Sequence, residues 1–147
     1  MLSNQNYLND KMKEYMKLIP ADKYNHPGVY NITIGNEVVY VGKARNMLHR
    51  IAYHMYEINC GEQQTEGTKF KYGELKKAFN KGYRICFDVL YTSSFSCEDD
   101  NKIIDDDIGP QEAFYINKYL PKLNKQIPDL NNYHKYKNKN YEKLILP

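Results

Sequence analysis

Between residues 5 and 19 the apolar side chains recur at helical spacing, as Tyr7, Leu8, Met12, Tyr15, Met16 and Ile19. This predicts an amphipathic helix over 5–18, and Pro20 ends it because proline clashes with the turn before it and donates no hydrogen bond. His26-Pro27-Gly28 breaks the chain again, and the period then shortens to two. Val29-Tyr30-Asn31-Ile32-Thr33-Ile34, a turn at Gly35-Asn36 and Val38-Val39-Tyr40-Val41 read as a β-hairpin over 28–42. Two registers are open. A two-residue loop pairs Ile34 with Glu37 and Tyr30 with Val41, which sends Tyr30 and Tyr40 to opposite faces. A three-residue loop over 34–36 pairs Thr33 with Glu37 and Tyr30 with Tyr40, on one face. The longer loop is preferred, because Asn36 tolerates the left-handed conformation it requires.

Asn46 is placed to cap a helix over 47–58, whose apolar side is Met47, Leu48, Ile51, Met55 and Ile58. Arg50, His54 and Glu57 follow at i, i+4 and i+7 along an adjacent stripe. Residues 60–68 read as loop and 70–80 as a lysine-rich helix stopped by Gly82. A third strand runs from Arg84 to Tyr91, with Ile85, Phe87, Val89 and Tyr91 expected on one side. The acidic stretch 98–107 reads as a loop or a short helix start, with Asp105-Asp106-Asp107 solvated. Pro110 suits the first turn of a last helix through Glu112, Tyr115, Ile116 and Tyr119, closed by Pro121. The expected fold is therefore α/β (α+β), a small antiparallel sheet flanked by helices. Residues 1–26 form an N-terminal extension, 27–125 the domain, and 126–147 a Tyr/Lys-rich arm, extended or late-ordered.

Composition narrows the class. A chain of 147 residues with 41% hydrophobic and 27% charged side chains supports one core and excludes a disordered acidic tail or a collagen-like fibre. No apolar run reaches the roughly 20 residues that span a bilayer, and the first residues carry no apolar signal core. Cys60, Cys86 and Cys97 are too widely spaced for a zinc or redox pair. A soluble protein of the reducing cytoplasm, without membrane contact, is expected. Charge is segregated. Lys69, Lys71, Lys76, Lys77, Lys81 and Arg84 face only Glu74, and a second basic block includes Lys135, Lys137 and Lys139 among tyrosines. Such blocks suit a polyanion, since lysines neutralise phosphates and release condensed counterions. Read plainly, they keep a helix and a tail in solution.

The hairpin and the helix after it also bring chemistry together. Two tyrosines on one sheet face, Arg50 and His54 on one helix edge, and Glu112 near the start of a later helix are the parts phosphodiester hydrolysis uses. A base takes a proton from water, a cation offsets phosphoryl charge, and a metal steadies the leaving oxygen. Taken singly, each residue has an ordinary structural reading. Their order does not: Gly28-Val29-Tyr30, then Tyr40-Val41-Gly42-Lys43-Ala44, Arg50, Gln111-Glu112-Ala113-Phe114-Tyr115-Ile116 and Pro121-Lys122-Leu123-Asn124. Over residues 27–125 this series resembles the GIY-YIG nuclease superfamily, with Val29 and Val41 in place of its isoleucines.

The resemblance implies a three-stranded antiparallel sheet flanked by helices and a DNA endonuclease using one magnesium or manganese ion per active site. Glu112 falls on the metal-binding glutamate, Arg50 on the arginine that stabilises the pentavalent phosphate, and Asn124 on an asparagine that orients active-site groups. His54 matches a proton-relay or leaving-group position. Lys43 matches the lysine of the UvrC-like excision-repair branch. Tyr30 and Tyr40 match the motif tyrosines; either is open as the base, with Tyr30 preferred and Tyr40 in support. Free tyrosine, near pKa 10, is only about one-thousandth ionised at pH 7, a deficit of roughly 4 kcal/mol that nearby cations must offset. Lys69, Lys71, Lys76, Lys77, Lys135, Lys137 and Lys139 are the expected contacts to DNA, double-stranded most readily. A homodimer suits so compact a nuclease. A non-catalytic nucleic-acid-binding module and a UvrC-like repair nickase are the alternatives.

Overall fold

The computed structural model describes residues 10–60, 66–124 and 144–146. Of the N-terminal helix, α1, the described part is 10–16. There follow α2 (Ala21–Tyr24), β1 (Gly28–Ile34), β2 (Glu37–Ala44), α3 (Met47–Asn59), α4 (Glu66–Asn80), β3 (Ile85–Thr92), α5 (Asn101–Tyr119) and β4 (Leu144–Ile145). Tyr7 and Leu8, residues 61–65 with Glu62, and most of the 126–147 arm with Lys135, Lys137 and Lys139 lie outside the described residues. No helix among the described residues is long and apolar enough to cross a membrane.

Among the described residues the sheet has four antiparallel strands in the order β2-β1-β3-β4, one more than expected. The fourth comes from the far end of the chain. Leu144 pairs with Phe87 and Ile145 with Cys86, and the Leu146 amide donates to the Ile85 carbonyl at 2.7 Å. Helices cover both sheet faces. On one, Tyr30, Ile32, Phe87 and Val89 pack with Met47, Ile51 and Met55 of α3 and with Tyr72 and Leu75 of α4. On the other, Val29, Val41 and Leu90 pack with Ile104, Ile108 and Tyr115 of α5.

The hairpin departs from the expected register. Ile34 pairs with Glu37 across a two-residue loop, and Gly35 rather than Asn36 takes the positive φ, 60°. The register then shifts: Thr33 pairs with Val38 but Ile32 with Tyr40, so Val39 is an extra residue on β2. This bulge returns Tyr40 to the face of Tyr30. The shared face holds, but Tyr30 stands opposite Gly42, not Tyr40. A second bulge does the same to β3, where Val29 pairs with Tyr91 and Tyr30 with Val89. Tyr91 therefore leaves the side of Ile85, Phe87 and Val89 and packs with the α5 cluster.

The acidic stretch is also corrected. Asp100 caps α5, its side chain accepting from the Lys102 amide at 2.9 Å, and the helix runs through Asp105-Asp106-Asp107. Asp107 is tied down rather than loop-like: it accepts hydrogen bonds from the Tyr91 hydroxyl at 2.8 Å and from the Ser93 hydroxyl. Pro110 lies inside the helix instead of its first turn. Having no N–H, it offers no donor to the Asp106 carbonyl one turn back, and Asp106 is an exposed residue.

Candidate functional site

The site forms where β1 and β2 face α3 and α4. Asn46 caps α3 as expected, accepting from the His49 amide at 3.1 Å, and this phases Arg50 and His54 toward the hairpin. Gly42 sits beneath both phenols. A Cβ there would come within 2.6 Å of the Tyr30 hydroxyl and 2.8 Å of Tyr40 Cε2. Opposite a tyrosine and two residues beyond another, only hydrogen leaves room. Gly28 answers to backbone instead, since a Cβ would meet the Tyr91 carbonyl at 2.2 Å.

Tyr30, His54 and Tyr72 have no exposed surface. Their polar atoms form one chain: the Tyr30 hydroxyl lies 2.5 Å from His54 Nε2, and His54 Nδ1 lies 2.8 Å from the Tyr72 hydroxyl. Tyr40, half-buried, packs its ring 6.3 Å from that of Tyr30 and 5.9 Å from the imidazole. The half-buried Arg50 guanidinium stands 5.4 Å from the Tyr53 ring. Burial pulls its pKa down, but the phenols of Tyr30, Tyr72 and Tyr40 around it more than reverse that. Arg50 is a fixed positive charge.

Electrostatics change the picture of the tyrosines. Burial pushes Tyr30 well above the ordinary phenol value, Tyr40 adds to the rise, and Arg50 only partly opposes it. Tyr40 is also raised by burial, against Arg50 and with Glu112 adding to the rise. No preformed phenolate is available at neutral pH. His54 is held well below the usual imidazole range by burial first, then by Arg50 and Lys71, so it is neutral and carries one ring proton.

Glu112 is half-buried on α5, beside Lys43 and close enough to Tyr40 to perturb it. Burial raises its pKa and Lys43 counters this. Among the described residues no three His, Cys, Asp or Glu gather as a metal cluster. A single carboxylate nonetheless suits magnesium, which retains several waters and takes few protein ligands. Asn124 serves β2 directly. Its Oδ1 accepts from the Val41 amide at 2.9 Å and its Nδ2 donates to the Val41 carbonyl at 2.7 Å, closing the free edge between Tyr40 and Gly42.

Of the sequence-derived residues, Tyr30, Tyr40, Arg50 and His54 come together, with Lys43 and Glu112 alongside and Asn124 behind. The lysines of α4 do not behave as one surface. Lys69 and Lys77 are exposed and Lys76 is half-buried, but Lys71 is buried with its ammonium 4.6 Å from the Tyr40 ring centre and 4.8 Å from that of Tyr72. Lys71 belongs to the site. Tyr72 stands in no motif of the sequence; its only signal is an apolar stripe with Leu75 and Phe79 at i+3 and i+7 of a lysine-rich helix. A groove of about 430 Å³ beside the site is lined by Lys43, Arg45, His49 and Arg50, with Met12 and Tyr53 along it. No protein-family profile, curated protein or solved structure matches the chain.

Proposed function

We propose that the protein is a divalent-metal-dependent DNA endonuclease of the GIY-YIG type. The observation that carries this reading is the convergence, from three separate stretches of sequence, of two phenols, a guanidinium and an imidazole beside one carboxylate. The motif order supports it, as does the cationic groove, whose Lys43, Arg45, His49 and Arg50 suit a phosphate backbone.

In this reading a water attacks phosphorus, a new P–O bond forms and the bond to the leaving oxygen breaks. Tyr40 is the phenol that faces outward, so it meets the attacking water. Tyr30, with no exposed surface, stands behind it: as water passes a proton to Tyr40, Tyr40 passes its own to Tyr30 and Tyr30 its own to His54 Nε2, so both phenols stay neutral and the imidazole ends protonated opposite the charge gathering on the phosphate. This reverses the preference for Tyr30 as the group that touches water, and it fits two neutral phenols better than a preformed phenolate does. Arg50 offsets charge on the non-bridging oxygens. Enclosed between Tyr30 and Tyr72, His54 serves proton relay and not the leaving group. Glu112 would hold the divalent ion, which supplies Lewis-acid stabilisation of the leaving oxygen. Lys43 neutralises charge beside that carboxylate, and Asn124 fixes the backbone that carries Tyr40.

Relaxation of supercoiled plasmid in magnesium tests the proposal. Wild type is expected to nick, and Arg50→Ala to fall by at least about 100-fold, the scale of losing one transition-state charge partner. Wild type that binds DNA but cuts under no divalent ion would favour a non-catalytic binding module.

A further inference from the structure

We propose that Lys71 is a positioning residue and not a contact to DNA: its ammonium clamps the phenol of Tyr40, the one that meets the attacking water, by lying over the rings of Tyr40 and Tyr72 at once. Lysines on a helix surface keep their charged heads in water and bury only the stem. Lys71 departs from this. The residue is 9% exposed, and its Nζ lies 4.6 Å from the centre of the Tyr40 ring on β2 and 4.8 Å from that of Tyr72, its own neighbour on α4. Both distances are inside the roughly 6 Å within which a cation is drawn to the negative face of a ring, and the attraction grows as water is excluded. Adjacent helix positions point about 100° apart, so Lys71 covers the Tyr72 ring only by folding its side chain inward.

Tyr40 stands where such a hold matters. It is half-buried on β2, and the next residue on its face of the strand is Gly42, which has no side chain to brace the ring. Tyr30 and His54 flank it at 6.3 and 5.9 Å, tilted and edge-on, so neither lies flat against it. Lys71 supplies a tie from outside the hairpin, joining the strand that bears Tyr40 to the helix that bears Tyr72. The Arg50 guanidinium stands over a different ring, that of Tyr53, at 5.4 Å. Lys69 and Lys77 of the same helix are exposed and remain open to phosphates. The importance of the Tyr40 pose rests on the hydrolytic reading above; the clamp itself does not.

Proton NMR of the full chain reads the clamp without substrate, because protons held over an aromatic face move upfield. The ε-methylene protons of Lys71 are expected upfield of those of Lys69 and Lys77, and Tyr40→Leu should return them part of the way. Lys71→Met keeps a straight apolar stem and removes the charge. Its single-turnover cleavage of duplex DNA is expected to fall about 10- to 100-fold, the scale of a misplaced reacting group, while affinity for the duplex stays within about twofold and keeps its salt dependence. A phosphate contact would behave otherwise, since losing one weakens binding and lowers the salt slope by about one. The proposal is overturned by Lys71 signals at the position of the exposed lysines, by signals that Tyr40→Leu leaves in place, by a lowered salt slope, or by full-rate cleavage in Lys71→Met. The wild-type spectrum decides even if a variant does not fold. A wild type that cuts no DNA sinks the nuclease reading and leaves the clamp to be judged by the spectrum.

Discussion

At the scale of single residues, His54 ties function to stability. Its folded pKa lies below the unfolded value of about 6.5, so the unfolded chain takes up a proton that the folded chain refuses. The stabilisation from neutral His54 is present above about pH 6.5 and is lost as pH falls below it, by up to about 1.4 kcal/mol per unit. Denaturant unfolding of wild type and His54→Gln should show a stability gap that narrows as pH falls from 7 to 5, by no more than about 1.4 kcal/mol per pH unit below about 6.5. A gap that stays constant would mean His54 is not buried neutral. The grouping of Tyr30, Tyr40 and Arg50 was legible in the sequence, because the resemblance to an ordered series of motifs put them side by side, and the structure places them within one cluster. Lys71 and Tyr72 were hidden for a physical reason. A lysine in a lysine-rich helix reads as solvated, and only the folded placing of α4 shows that its ammonium lies over the rings of Tyr40 and Tyr72.

At the scale of elements, the longer strands and helices followed from periodicity, but their irregularities did not. Val38-Val39-Tyr40-Val41 contains no glycine to announce a bulge, and the bulge at Val39 is what puts both phenols on one face. Pro110 misled because proline is most at home in a first turn; here the Asp100 cap starts the helix at Asn101, well before the proline. The face of β1 beneath α5 shows a further cost of the fold. Among the described residues the Thr33 hydroxyl is buried without a hydrogen-bond partner, as are Asn31 Oδ1 and Gln111 Oε1. An unpaired buried hydroxyl costs about 1–3 kcal/mol, and valine has the same shape. Thr33→Val is therefore expected to raise the unfolding free energy by about 1 kcal/mol, measured in urea. A loss of similar size would show that the hydroxyl has a partner.

At the scale of the whole molecule, the end of the chain is part of the domain. β4 extends the sheet along β3, and Leu146 is buried in the larger cluster with Ile85 and Phe87. Two strand residues so far along the sequence are invisible to a periodicity argument, which is why three strands were expected. Leu146→Ala should cost about 2–3 kcal/mol, as for other buried leucines, and lower the melting temperature. An unchanged melting temperature would return these residues to the status of an appended arm. Basic charge also acts at this scale: in the proposed complex with duplex DNA, the groove beside the site and the exposed Lys69 and Lys77 are expected to make affinity fall steeply with salt, and a flat response would remove those lysines from binding.

All three scales meet in the claim that one carboxylate beside a buried phenol–imidazole cluster supports phosphodiester hydrolysis. Single-turnover cleavage of an end-labelled duplex in magnesium, by wild type and by Glu112→Gln, tests it most directly when the affinity of each for the same duplex is measured alongside. The expected result is cleavage by wild type and a loss of at least about 1,000-fold in Glu112→Gln, with affinities within a few-fold, since the lost interaction acts in the transition state. Equal rates for the two proteins, or tight binding by wild type with no product, would contradict the account.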